Sequence, residues 1–138
     1  MIEKYKHEAK GYLPCLINTN WQAAILNFAE EQEAKNINKI EKHAQTDEIF
    51  VLLHGNAVLI AADVYGNEIS IKTEVMEKGI IYNIPQNVWH NIAMDKNAKI
   101  FIFENSNTHL NDCTYLSLND RQQKELYSLI VQAGKCIK

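Results

Sequence analysis

From Ile49 to Phe103 the chain is cut into short apolar runs by turn-forming residues, and this rhythm most restricts what it can fold into. Ile49–Leu53 is followed by Gly55-Asn56 and then Ala57–Ala62. Val64–Asn67 (VYGN) precedes Glu68–Val75, where polar and apolar residues alternate as on a strand with one wet face. Lys78-Gly79 leads into Ile80–Ile84, Pro85-Gln86-Asn87 into Val88–Met94, and Asp95-Lys96-Asn97 into Lys99–Phe103. Turn signals spaced roughly every 8–12 residues between strand-length runs predict a sandwich or barrel and not a βαβ fold. Two apolar runs around Gly55-Asn56 predict a tight hairpin there.

The flanks differ. Residues 1–20 read as an arm, with a short apolar piece at Tyr12–Ile17, and Trp21–Phe28 (WQAAILNF) reads as a strand able to offer a pairing edge. Ala29–Asn38 is polar and reads as a loop. After Ser117, DRQQKELYSLIVQA carries Leu126, Leu129, Ile130 and Ala133 at helical spacing. Asn119 and Gln122 form a capping box, and Gly134 is a stop. The expected organisation is an arm (1–20), a β domain (21–116) and a helix packed on the same domain (117–138). The expected fold class is mainly β with a C-terminal α-helix.

Charge removes several partners. Fourteen basic against 17 acidic residues give a net −3, and Arg121 is the sole arginine. That balance lacks the basic footprint of a nucleic-acid binder or of a protein held on an anionic membrane. No run approaches the 18 apolar residues of a spanning helix. The first residues lack the apolar stretch of a secretory signal, and Cys15, Cys113 and Cys136 form no C-x-x-C pair. The expectation is a cytoplasmic protein.

Residues with ligand chemistry gather near two turns. Glu41, His43 and Glu48 lie in IEKHAQTDEIFVLLHG, and His90 lies in GIIYNIPQNVWHN. On one strand Glu41 and His43 share a face, and a bulge near Ala44-Gln45-Thr46 would bring Glu48 to it. His90 must then stand on an adjacent strand. Period-two alternation adds Phe50, Leu52, Tyr82, Val88 and Ile92 as candidate pocket residues, and turns Trp89 away from His90. His54 is expected to face solvent and His7 to be structural. His109 falls in a polar segment read as a solvated loop, and Cys113 as a passive thiol. There is no G-x-x-x-x-G-K-[ST], G-x-G-x-x-G or G-x-S-x-G.

These two segments resemble the paired motifs of the cupin superfamily. His43, Glu48 and Gly55 stand at the spacings of the second His, the Glu and the last Gly of the first motif. Gly79, Pro85 and His90 stand at those of the second, and the resemblance spans about Trp21 to Glu104. Departures are Glu41 for the first motif His, Lys35 for its leading Gly, Asn87 for a Gly and Met94 for the final Asn. The resemblance implies a double-stranded β-helix, or jelly-roll barrel. It also implies a divalent metal (Fe, Mn, Ni, Co or Zn) held by His43, Glu48 and His90, with Glu41 in the fourth place. Two imidazoles with carboxylates suit any of those ions. A small-molecule ligand and a homodimer are expected. The family also includes non-catalytic ligand sensors and metal-free sugar isomerases and epimerases, so whether the chain is an enzyme stays open.

Overall fold

The computed structural model describes residues 1–134 and 137; Cys136 and the end of the expected 117–138 segment lie outside them. Ten strands run in chain order: β1 (Gly11–Ile17), β2 (Trp21–Asn27), β3 (Lys39–Lys42), β4 (Glu48–His54), β5 (Ala57–Tyr65), β6 (Glu68–Val75), β7 (Ile81–Ile84), β8 (Trp89–Met94), β9 (Lys99–Asn105) and β10 (Thr114–Ser117). Helix α1 (Thr108–Asn111) is one turn, and α2 (Asp120–Ala133) is the only long helix among the described residues. No described helix is long and apolar enough to cross a membrane.

The strands form two five-stranded antiparallel sheets, ordered β1-β2-β9-β4-β7 and β10-β3-β8-β5-β6. Alternation builds two apolar layers from them. Leu26, Phe50, Leu52, Leu59, Ile92, Met94, Ile100 and Ile102 turn inward and pack between the sheets. Val58, Ile60, Ala93 and Ile40 turn outward from the second sheet, where Leu126 and Ile130 of α2 cover them. Strand β5 is therefore apolar on both faces, because both faces are covered. The helix begins as its sequence signals: the Asn119 side chain accepts from Gln122 N–H, and the Gln122 side chain accepts from Asn119 N–H, each at 2.9 Å. Gly134 ends it, and a Cβ there would sit 2.7 Å from Val58 Cγ2.

Three expectations are corrected. Gly55-Asn56 is not a hairpin turn, because β4 pairs with β7 and β9 while β5 pairs with β6 and β8. Here the chain crosses between sheets, pressed so close to the 95–98 turn that a Cβ on Gly55 would lie 2.5 Å from the Ala98 backbone. The two-residue hairpin is one turn later, where Tyr65 faces Glu68 across Gly66-Asn67. Secondly, Gly11–Ile17 of the expected arm is a strand, so WQAAILN is covered by β1 and offers no free edge. Thirdly, Ala29–Asn38 is not wholly solvated: it forms two 3-10 turns that bury Ala34 and Ile37 under the helix.

Candidate metal centre

The first motif is also a crossing and not a bulged strand. β3 stops at Lys42 in one sheet and β4 starts at Glu48 in the other. The odd step from His43 to Glu48 thus needs no bulge, since the two residues approach the interior from different sheets. Glu41 and His90 face each other across the β3–β8 pair. The crossing is tied down at several points. Asp112 carboxylate oxygens accept from Ala44 N–H and Gln45 N–H at 2.8 and 2.9 Å. Asn87 N–H donates to His43 O at 2.8 Å. Asn87 holds φ 65°, the left-handed conformation its replaced glycine would favour and asparagine tolerates.

The structure thereby brings together Glu41, His43, Glu48 and His90, whose ligand atoms all lie within 4.8 Å of one another. His43 Nε2 and His90 Nε2 each stand 2.8 Å from the same atom, Glu48 Oε2. Glu41 is farther out, its Oε1 3.9 Å from His90 Nε2. His90 is 1% exposed, and His43 and Glu48 are 5% exposed.

The second ring nitrogens decide the chemistry. His43 Nδ1 lies 2.6 Å from Asp112 O and His90 Nδ1 lies 2.9 Å from Val88 O. A carbonyl oxygen only accepts, so each Nδ1 carries the hydrogen. In the neutral rings each Nε2 then presents a lone pair to a carboxylate oxygen, an arrangement that repels unless a cation intervenes. Two protons or one divalent ion resolve it. With protons, burial works against charge on His43, but its bonds to Cys113 and Glu48 and the Glu48 charge raise its pKa to about 11. Burial likewise opposes the charged form of His90, and Glu48 again outweighs it, so that pKa is also raised. Burial opposes ionisation of Glu48 too, yet the two imidazoles hold its pKa at about 2.

An ion fits the same atoms. Imidazole fixed through Nδ1–H to a carbonyl is the usual posture of a metal-ligating histidine. Two donors each about 2.1 Å from one ion would stand roughly 3.0–3.4 Å apart, a few tenths of an ångström beyond the 2.8 Å separations of the two imidazoles from Glu48 Oε2. His43, Glu48 and His90, with Glu41 at the rim, would hold the group.

These residues lie in a cavity of about 410 Å³. Phe50 and Ile92 line it. Leu52, Tyr82 and Val88 do not, although parity suggested them. Leu52 shares the face of Glu48 but is four residues along the strand, about 13 Å at 3.3 Å per residue, and is buried in the core between the sheets. The Tyr82 hydroxyl accepts from Glu77 N–H, and Val88 is part of the turn before β8. Trp89 turns outward beneath Lys42, whose ammonium is 4.6 Å from the ring centroid. His54 is exposed, and His7 packs its Nε2 2.9 Å from Gly11 O.

Sequence reasoning missed several lining residues. Tyr12, Glu104, His109 and Cys113 all face the cavity. His109 is half-buried and not in a solvated loop, and the Cys113 thiol donates to Glu41 at 3.2 Å. Glu104 carried a readable signal: in KIFIFEN it occupies the inward parity of Ile100 and Ile102. Burial and then the nearby Glu48 charge push its pKa up to about 8.

No protein-family profile matches the chain, and no curated protein matches it in sequence. Solved structures do match. PAC13 from Streptomyces, a variant solved with uridine, superposes at TM-score 0.58 and 8% identity, covering 91% of this chain and 97% of that one. An oxalate oxidase gives TM-score 0.51 at 14% identity, covering 75% and 56%. KdgF from Halomonas gives 0.50 at 10% identity, covering 75% and 88%. At such identities the likeness concerns the fold, and with the two facing sheets and the closing helix it establishes that this chain folds as a cupin.

Proposed function

We propose that the protein is a metal-dependent cupin: it holds one divalent ion on His43, Glu48 and His90, with Glu41 as fourth ligand, and acts on a small polar organic molecule bound in the adjoining cavity. The observation that carries this reading is the approach of two Nε2 lone pairs to one carboxylate oxygen, each ring locked by a carbonyl behind it. A bound ion would supply a Lewis acid to an oxygen of that molecule. The chain's own part is orientation and exclusion of water. The burial of His43, Glu48 and His90 keeps bulk water from the donor set, and the Asp112 clamp fixes the approach of His43. The cavity volume falls in the range of small-molecule sites.

Titration of chelator-treated protein with Co²⁺, followed by its visible absorption, tests the reading. Saturation at one ion per chain, abolished by Glu48→Ala, is expected. An unchanged titration in that variant would overturn it, and no uptake at all would turn the site toward metal-free acid–base chemistry or ligand sensing.

We also propose a homodimer joined through the outer face of the β1-β2-β9-β4-β7 sheet. Trp21, Ile25, Val51, Leu53, Phe101 and Phe103 turn outward there, and among the described residues no helix packs on them. Strands β1, β2, β9 and β4, each seven residues long and about 4.8 Å apart, with the four-residue β7 at the edge, give a flat footprint of at most roughly 24 by 23 Å. That is of the order that each partner contributes to a stable interface.

A further inference from the structure

His109 lines the cavity from α1 and takes no part in the proposed metal group. Its ring lies against Tyr12, with the centroids 5.7 Å apart. One ring nitrogen is engaged: Nδ1 stands 3.1 Å from Nε2 of the buried Gln22. The Gln22 amide is oriented from its other end. Its Oε1 accepts from Asn107 N–H at 2.8 Å, and a backbone N–H only donates. Nε2 therefore donates one hydrogen to His109 and aims the other at the Tyr12 hydroxyl, 2.9 Å away. An amide nitrogen accepts nothing, so His109 Nδ1 is the acceptor and holds no hydrogen. The hydrogen of the ring is on Nε2. That atom has no partner among the described residues, yet it is not one of the buried side-chain atoms left unpaired. Nε2 is thus open to the space that the half-buried ring lines.

The segment from Asn105 to Asp112 holds this donor in place. Thr108 Oγ1 donates to Asn105 O at 2.7 Å, and Asp112 N–H closes α1 onto Thr108 O at 3.0 Å. The same segment is fastened to the crossing that carries His43. Asn105 Nδ2 donates to Gln45 O at 3.0 Å, and Asn105 N–H donates to Thr46 Oγ1 at 3.1 Å. Asp112 clamps Ala44 and Gln45 from its far end. One short stretch of chain therefore fixes both the His43 side of the metal group and the N–H of His109. A donor held in one tautomer and one orientation before binding loses little freedom on meeting its acceptor. An N–H only donates, so it matches an oxygen with lone pairs and no hydrogen of its own, which is a carbonyl-type oxygen.

We propose that His109 is the ligand-positioning residue of this cavity: its Nε2–H donates to a carbonyl-type oxygen, of a carboxylate or of a neutral carbonyl group, on the small molecule that occupies the cavity beside the metal group. This rests on the reading above that the cavity takes a small polar organic molecule, and it names the group by which that molecule is held. The His109 contact itself does not require the ion.

The test uses the full ¹⁵N-labelled chain, with and without added Zn²⁺. Long-range ¹H–¹⁵N spectra of the imidazoles read which nitrogen of His109 carries the hydrogen, and His109→Phe assigns the signals. Hydrogen on Nε2 and none on Nδ1 is expected. The probes are lactate, which offers a carboxylate, lactamide, which offers a neutral carbonyl, and propylene glycol, which keeps the hydroxyl and lacks a carbonyl. A saturable shift of Nε2 with lactate, lactamide or both is expected, and which of them binds separates the two sources of the oxygen. Affinities of the variants are read from the Gln22 side-chain amide. Binding is expected to be about tenfold weaker in His109→Phe, which keeps a ring on Tyr12, and to recover in His109→Gln, whose amide returns an N–H near the place of Nε2. Both variants are expected to keep the wild-type Zn²⁺ stoichiometry. The proposal is overturned by hydrogen on Nδ1, by propylene glycol binding as tightly as the carbonyl probes, by equal binding in wild type and His109→Phe, or by no saturable shift up to about 100 mM. A melting temperature lowered by more than about 5 °C in both variants would make His109 a structural residue and also overturn it. If wild type takes up no Zn²⁺ but binds a carbonyl probe through His109, the metal reading fails and the role of His109 stands. If Zn²⁺ binds and His109→Phe leaves probe binding unchanged, the metal reading stands and the role of His109 fails.

Discussion

At the scale of single residues, the site is governed by which nitrogen carries a hydrogen. Because Asp112 O and Val88 O fix the hydrogen on each Nδ1, His43 and His90 can offer only Nε2 to an ion. Without an ion the pKa of each ring is raised, that of His43 to about 11, so an arriving cation displaces a proton at His43 and competes with protonation at His90. Protons compete with metal, so affinity is expected to rise with pH across the neutral range, by about tenfold per unit for the His43 proton alone. Calorimetry in buffers of different ionisation enthalpy counts the released protons, and a value near zero would contradict the protonated pair. The metal-free protein has its own acid limit. The Glu48 pKa is depressed from 4.5 to about 2, so its stabilising contribution is complete above pH 4.5 and is lost as pH falls through about 2. Glu48→Gln is therefore expected to flatten that part of the stability–pH curve, measured by urea unfolding. His43, Glu48 and His90 stand out in the sequence through the spacings they share with the cupin motifs, and the structure brings them together. Glu104 offers only its inward parity on β9 and His109 no signal at all, and it takes the pairing of β2 with β9 to bring Gln22 opposite Glu104.

At the scale of elements, strand and helix positions were largely visible in the sequence, but the pairing of strands was not. Alternation and turn chemistry locate a strand, whereas its neighbour is chosen by the whole jelly roll. Gly55-Asn56 shows the difference: it has the residues of a hairpin but joins strands of different sheets. Its glycine is needed for two reasons, a φ of +74° and the Ala98 backbone 2.5 Å from any Cβ. Gly55→Ala is accordingly expected to cost more than about 2 kcal/mol in chemical denaturation. Gly66→Ala, at a similar φ of +60° but with nothing within 4 Å, is expected to cost less. The reverse order would contradict the close-approach argument. The α2 capping box, read from sequence and present in the structure, is local in origin, and Asn119→Ala is expected to cost about 1 kcal/mol by the same measurement.

At the scale of the whole molecule, the two faces of the β10-β3-β8-β5-β6 sheet are covered, one by the opposing sheet and one by α2, while among the described residues no helix packs on the apolar outer face of its partner sheet. Sedimentation equilibrium is expected to show a dimer that Val51→Glu combined with Phe101→Glu converts to a folded monomer. These positions face each other across β4 and β9, so the paired charges repel within one chain and oppose a second copy. A monomeric wild type would contradict the proposed interface without touching the metal site. The fold as a whole brings His90 from one sheet, Glu48 from the other and His43 from the crossing between them to one buried point, with Glu41 at its rim. The most direct test of that claim is elemental analysis of untagged protein, wild type beside His90→Ala. About one Fe, Mn, Ni, Co or Zn per chain in wild type, lost in a variant with unchanged circular dichroism, is the predicted result. No metal in wild type after reconstitution, or full occupancy in His90→Ala, would contradict it.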